Sequence, residues 1–499
     1  MLFVFFVVNI LSVAGFARAD GMPVREKNGL VFTLETIALP DAERMTLLGV
    51  NYRIFADDRW YYGPSVYGAL LGERGGFFTG GFTAGMRAML GAEMWFDMGL
   101  FAGGGGGGAA PQGGGLMVRP QASLWRSWDE VQLGIGWSQV WYPNGEIDAP
   151  AVFLAAGGTF DRVFVPGREQ GTVQAAEQLA PARWRYLVAG SAYAPTAASR
   201  TTGGVPYEDG LALAGCGFDR SMDGRLWFST RIFGAVAGDI DGYAKVLAGP
   251  VWTFDGPGIL NWECALYGGA AGGGGVDTGG GLLFQPEAGV SIDLGREYAL
   301  LLRAGYVLPR DGNFEGWVTT LGVAWCLDGY RIDAASMAGV DARAVPWRIG
   351  AAHKVYSGLS DKELGTGPTE DGSAAITLIG LTVDRFISPR FFLCGKAYAA
   401  TTGGAGGYAE GLAGAGLVLA GGEDWDIEAE LFAGAGGGGG VVVGSGGMAG
   451  GTLGAEYRWS REWSAAIRAG WIDAPGGSLA CAVWEAGLCR SFGQLVERN

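Results

Sequence analysis

Residues 423–431 read Glu-Asp-Trp-Asp-Ile-Glu-Ala-Glu-Leu, and polar and apolar positions separate with a period of two. Asp424, Asp426, Glu428 and Glu430 share one face; Trp425, Ile427, Ala429 and Leu431 share the other. A helix, with 3.6 residues per turn, cannot sort them that way, so the segment is a strand. The same alternation predicts eight strands in the first third of the chain, near 29–36, 47–55, 59–71, 76–88, 93–102, 113–125, 130–141 and 149–158. Alternate connections are tight, as at Ala56-Asp57-Asp58, Leu90-Gly91-Ala92 and Arg126-Ser127-Trp128. The others carry turn residues, as in Tyr142-Pro143-Asn144-Gly145 and Pro309-Arg310-Asp311-Gly312.

The pattern recurs. Leu100-Phe101-Ala102-Gly103 returns as Leu266-Tyr267-Gly268-Gly269 and as Leu431-Phe432-Ala433-Gly434, at offsets of 166 and 165. The same offsets carry Arg59 onto Arg225 and Arg390. Glycine runs follow in register at 103–108, 272–275 and 436–440. The expected organisation is therefore a removable leader (1–19), three repeat units (20–160, 182–327 and 347–499) and two polar joins (161–181 and 328–346).

Composition narrows the class. Glycine fills 93 of 499 positions, and helices are penalised by about 1 kcal/mol per glycine relative to alanine. With 19 prolines and no three-residue glycine period the chain is not collagen-like, and 18 Trp, 17 Tyr and 25 Phe exclude a disordered composition. A net charge of −15 argues against nucleic acid as a partner. The apolar N-terminus closing on Ala17-Arg18-Ala19 reads as a secretory signal cleaved after Ala19. The uncharged run 431–454 is long enough to cross a bilayer as a helix but consists mainly of Gly, Ala and Val, so a spanning helix is not expected there. Six cysteines without C-x-x-C spacing give little support to a disulfide framework or zinc site.

Aromatic clusters follow short turns at Trp60-Tyr61-Tyr62, Leu226-Trp227-Phe228 and Phe391-Phe392. Together with exported, roughly ten-residue alternating strands, this resembles the bacterial outer-membrane β-barrel superfamily, and each unit is similar to its small eight-stranded members. The last strand, Val483 to Phe492, resembles the assembly signal of such barrels through Gly487 and Phe492, although Arg490 stands where that signal prefers an apolar residue. The resemblance implies an all-β transmembrane antiparallel barrel located in the bacterial outer membrane. Three fused eight-stranded barrels are favoured over one 24-stranded barrel. Its implied partners are outer-membrane lipid and, during biogenesis, the barrel-assembly machinery.

Charged residues facing lipid are costly, so those within strands should point inward. Recurring positions nominate a lumen charge network of Arg59, Asp97, Arg225, Arg231, Glu263, Arg303, Arg390, Lys396, Glu428 and Arg468, and the first copy adds Arg119 in its sixth strand, where the second has Gln285. Mutual neutralisation is the favoured role, with ion selection as the functional alternative. No catalytic residue, cofactor or metal is assigned: G-x-G-x-x-G matches are expected by chance at this glycine content, and the single histidine, His353, has no evident nucleophile beside it. The expected function is a non-enzymatic structural or scaffolding membrane protein, or at most a narrow conductance for small solutes or ions. The alternatives are a porin-like transport protein with one large pore and a secreted soluble β-repeat protein.

Overall fold

The computed structural model describes residues 23–497 apart from 129–130, 169–170, 176–178, 208–209, 239, 241, 296, 333–339, 361 and 365–374. The predicted leader, 1–19, lies outside the described residues. The chain is all-β, and the eight strands expected in its first third are met to within a few residues at most ends. The first eight are β1 (Val24–Ala38), β2 (Arg44–Phe55), β3 (Trp60–Leu71), β4 (Phe78–Met89), β5 (Met94–Gly106), β6 (Met117–Trp128), β7 (Val131–Trp141) and β8 (Asp148–Pro166). After the short β9 (Gly171–Ala175) come β10 (Leu179–Pro195), β11 (Leu211–Ser221), β12 (Leu226–Ala237), β13 (Ala244–Asp255), β14 (Leu260–Gly272), β15 (Leu282–Asp293), β16 (Tyr298–Pro309) and β17 (Gly316–Ile332). The last eight are β18 (Val340–Ser357), β19 (Ala375–Phe386), β20 (Phe391–Ala400), β21 (Ala409–Gly421), β22 (Trp425–Gly437), β23 (Gly447–Arg458), β24 (Trp463–Asp473) and β25 (Ala480–Glu497).

Within each group of eight, β1–β8, β10–β17 and β18–β25, consecutive strands pair antiparallel, and the ladder turns back on itself three times. β8 pairs with β1 from Val24↔Phe164 to Glu35↔Phe153. β17 pairs with β10 from Leu179↔Ile332 to Pro195↔Gly316, and β25 with β18 from Ala342↔Glu497 to Ser357↔Ala482. Each closure leaves no free edge in its eight-stranded ring, which removes the unpaired N–H and C=O groups that an open sheet exposes. A continuous 24-stranded ring is not formed, because β8 and β17 spend their hydrogen bonds on β1 and β10.

The segments expected as polar joins are largely drawn into strands: β8 and β17 run on to Pro166 and Ile332, and β9 pairs with the start of β18. These extensions stitch the barrels together at the tight-turn end, with Phe492↔Pro166 through Gln494↔Phe164 between β25 and β8, and Gly329↔Val496 between β17 and β25. Phe164, Leu327, Val345, Trp347, Phe492 and Val496 form an apolar cluster there, drawn from all three barrels.

At the opposite, loop end, each barrel holds its own apolar plug. In the first it includes Ile37, Leu39, Met45, Phe77, Phe101, Met117 and Tyr142. The run 431–454 forms β22, a turn and β23, and no helix among the described residues is long and apolar enough to cross a membrane. All six cysteines are free.

Candidate functional site

Burial is inverted relative to a water-soluble barrel. On β22 the side chains of Asp426, Glu428 and Glu430 point inward and are buried, while Trp425 and Leu431 are exposed outside. Period-two alternation makes this unavoidable: once the acids face the lumen, the apolar residues must face out.

In the first barrel, Arg119 makes a bidentate pair with Glu35, Nε to Oε1 at 2.8 Å and Nη2 to Oε2 at 2.9 Å. Ser138 also donates to Glu35, at 2.5 Å. One turn of side chains below, Arg53 and the Tyr61 hydroxyl both donate to Asp97, at 3.1 and 2.8 Å. In the second barrel, Arg185 bridges Asp219 (3.0 Å) and Glu263 (2.6 Å). Arg231 closes on Asp219, and Arg303 reaches Glu263 at 2.5 Å and the Tyr267 hydroxyl at 2.8 Å. Lys245 differs, because it donates to Tyr193 and Gln285 and makes no carboxylate ion pair among the described residues.

The third barrel is the most heavily charged. Arg348 binds Asp384 at 2.7 Å, Glu428 at 2.7 and 2.9 Å, and Glu456. Arg468 reaches Glu485 at 2.8 Å, Glu430 at 3.2 Å and Glu428 at 3.3 Å, and Lys396 joins Glu430 to Glu485. Towards the loop end, Lys354 and the Tyr408 hydroxyl hold Glu410 at 2.6 and 3.0 Å. The tight-turn mouth is an open pocket of about 640 Å³. There Arg168, from the chain between β8 and β9, inserts beside Arg458 and pairs with Asp426 and Glu456. Asp426, Glu428 and Glu456 have carboxylate oxygens within 4.8 Å of one another, the spacing of a cation site. Arg168, Arg348, Arg458 and Arg468 already occupy that acidic cluster.

Eight of the eleven nominated charges are therefore buried inside barrels: Asp97, Arg119, Arg231, Glu263, Arg303, Lys396, Glu428 and Arg468. Arg59, Arg225 and Arg390 are not among them; all three are exposed. They have the inward parity, but they lie in turns beyond the barrel end. Asp57 accepts from the backbone N–H groups of Arg59 and Trp60, both at 2.7 Å, and Asp223 does the same for Arg225 and Leu226. Ser388 caps Arg390 and Phe391 likewise, so each strand begins one residue later than the alternation suggested.

Recurrence of like charge missed the partners. Arg53, Asp219 and Asp384 are equivalent by the 166 and 165 offsets but opposite in sign. Where the second and third barrels face their acid with Arg185 and Arg348 across the ladder, the first pairs Arg53 with Gly29. The fifth-strand acid (Asp97, Glu263 or Glu428) thus always meets a guanidinium, supplied by a different strand in the first barrel than in the others. Parity alone would have found Glu35, Arg53, Arg185 and Arg348. His353 is exposed on the outer face of β18, between Ile379 and Ala486, with no acid–base partner there.

Inside the second barrel, the cavity bounded by Arg231, Glu287, Arg303 and their apolar neighbours measures about 10 Å³, room for roughly one water. Side chains fill an eight-stranded lumen, as that strand number predicts.

No family model matches the chain, and no curated protein matches it. Among solved structures it is similar to OpdQ of Pseudomonas aeruginosa, at 10% identity and a TM-score of 0.20, covering 96% of this chain and 100% of that one. It is also similar to the ferric enterobactin receptor PfeA of the same organism, at 10% identity and a TM-score of 0.27, covering 95% and 82%. OprD of P. aeruginosa matches at 10% identity and a TM-score of 0.20, covering 96% and 97%. These likenesses are distant, and the fold assignment rests on the closed ladders and the inverted burial. Closed antiparallel rings with an apolar exterior and a polar, ion-paired interior are the architecture of the outer-membrane β-barrel superfamily.

Proposed function

We propose that the chain spans a bacterial outer membrane as three tandem barrels (20–160, 182–327 and 347–499) and serves there as an embedded structural unit, with narrow conductance at most. The observation that carries this reading is the inversion itself. Arg119 and Arg348 are fully buried, whereas Trp317, Ile467 and Leu431 are 64%, 66% and 75% exposed on outer faces. Water would penalise that arrangement on both surfaces; hydrocarbon outside favours it, and closure satisfies the backbone groups that lipid cannot. The filled, neutralised lumens support a scaffold rather than a wide pore. A cleaved leader, lipid contact and delivery through the barrel-assembly machinery by the β25 strand belong to the same reading. The third-barrel acids, and Lys245 with its neutral partners Tyr193 and Gln285, are where small ions would interact.

Single-channel recording in planar bilayers tests the filled-lumen reading: no stable nanosiemens-scale step is expected, and one would refute it. Leu431→Arg tests which solvent lies outside. In lipid vesicles the substitution should cost about 2–4 kcal/mol in a urea titration if residue 431 lies near the bilayer midplane. A mature chain that partitions into the aqueous fraction without detergent, and tolerates Leu431→Arg, would instead be a secreted soluble protein.

A further inference from the structure

Inside the barrels, the buried arginines at positions 53, 119, 185, 231, 303, 348 and 468 all have carboxylate partners. Outside them, where the three barrels meet at the tight-turn end, two half-buried arginines break that rule. Arg162, on the extension of β8, lies with its Cζ 4.0 Å over the Phe492 ring and 5.9 Å from Phe164. Arg385, on β19, stacks on Trp325 and lies 5.8 Å from Trp347. Neither makes an ion pair with a carboxylate among the described residues: Arg162 donates to the Tyr52 hydroxyl and stands opposite Glu26 in the β1–β8 ladder, Glu297 acts on Arg385 only at longer range, and the Arg385 Nε is buried without an acceptor.

The two cations share one aromatic wall. Tyr186 lies within electrostatic range of both, with ring centroids 5.8 Å from Trp325 and 5.3 Å from Trp347. Rings of this kind tolerate a guanidinium on their face but do not cancel its charge. The pair sits on outer surfaces, next to exposed apolar positions such as Val188 and Val323, which lie opposite each other on β10 and β17.

Two guanidiniums without a carboxylate ion pair, the aromatic wall they share and the apolar flanks together suit an anion that carries hydrocarbon. We infer that the junction of the three barrels binds the phosphate headgroup of an anionic lipid, with Arg162 and Arg385 on the phosphate oxygens and the acyl chains along the neighbouring outer faces. Guanidinium suits this role because its planar donor fork matches phosphate geometry. The inference rests on the membrane-spanning reading above.

The full-length mature protein is reconstituted into nanodiscs of phosphatidylcholine alone, of phosphatidylcholine doped with phosphatidylglycerol, and of phosphatidylcholine with inorganic phosphate in the buffer. Lipid retention is read by native mass spectrometry and stability by thermal unfolding. Phosphatidylglycerol should be retained roughly tenfold or more over phosphatidylcholine, as expected for two arginines near the headgroup level, with a higher unfolding midpoint. R162Q/R385Q should lose that preference and R162K/R385K should keep most of it. If the double glutamine variant does not fold, R162Q and R385Q singly should each lose part of the preference. Equal retention of the two lipids by the wild type, or an undiminished preference in the glutamine variants, overturns the proposal. A midpoint shift from inorganic phosphate alone, without lipid preference, assigns the site to free phosphate and overturns the lipid. Failure to enter nanodiscs at all would refute the membrane reading, and this inference with it. Entry without lipid preference would remove only the inference.

Discussion

Arg348→Ala is expected to destabilise the third barrel by about 3–5 kcal/mol, read as a lowered midpoint in an equilibrium urea titration of the reconstituted protein. The guanidinium holds Asp384, Glu428 and Glu456 at once and lies 5.4 and 5.2 Å from the Phe386 and Phe392 rings. Removing it leaves three buried carboxylates with less cation than they need. Arg468 still touches Glu428, and Arg168 still touches Glu456, so the loss is partial. The cost comes mostly from the stranded acids rather than from a favourable pair, because desolvation offsets much of the attraction in an intact buried ion pair. Arg348→Met combined with Glu428→Gln should therefore recover a substantial part of the stability. Arg168→Ala should cost less than Arg348→Ala, since Arg168 is 16% exposed and shares its acids with Arg348 and Arg458. Arg225→Ala is the control: its pair with Asp255 is open to solvent on both sides at 3.6 Å, and the midpoint should not move. Equal midpoints for Arg348→Ala and Arg225→Ala would show that the lumen network contributes nothing to stability.

Strand positions in the first third were legible in the sequence because period-two alternation is a local property, and β1 to β8 obey it over most of their length. Inward direction was legible for the same reason at Asp97, Glu263 and Glu428. Where the chain leaves the sheet is set instead by single side-chain caps such as Asp57 and Ser388, which alternation cannot see, and so Arg59 and Arg390 were carried into the lumen by parity. Partner choice was hidden because neutralisation constrains the total charge around the fifth-strand acid, not which strand supplies the cation. Arg53 does from β2 what Arg185 and Arg348 do from β10 and β18. Arg168 had no sequence signal at all: it neutralises a barrel to which its own segment does not belong.

The glycine runs that recur in register bring backbones into close approach across the seams between barrels. A Cβ on Gly76 would lie 2.2 Å from the Gly273 nitrogen, and one on Gly272 would lie 2.2 Å from the Gly76 nitrogen. A Cβ on Gly104 would meet the Ala399 and Ala400 carbonyl oxygens at 2.5 and 2.6 Å, and one on Gly242 would meet the Gly438 nitrogen at 2.7 Å. The run after β14 thus abuts the β3–β4 loop of the first barrel, the end of β5 abuts the third barrel where β20 runs into its loop, and the run after β22 abuts the β12–β13 loop of the second. Each contact is head-to-tail and the three close a cycle, the geometry of a ring built from one chain.

Gly76→Ala should open the first of these seams while leaving the barrels folded. The new methyl collides with backbone, which cannot swing away as a side-chain tip would, and φ at this position is +85°. In hydrogen exchange, residues 72–77 and 272–281 should lose protection by about tenfold or more, because the Gly75 N–H bond to the Gly279 oxygen at 2.9 Å crosses this seam. Amides in β3, β4 and β14 should stay protected, since their ladders close within their own barrels. Gly224→Ala separates strain from seam: its φ of +87° is equally left-handed, yet nothing lies within 4 Å of the added Cβ. It should cost local backbone strain alone and leave exchange at 272–281 untouched. If the two alanines perturb exchange at 272–281 to the same degree, close packing between barrels is not what these glycines are for.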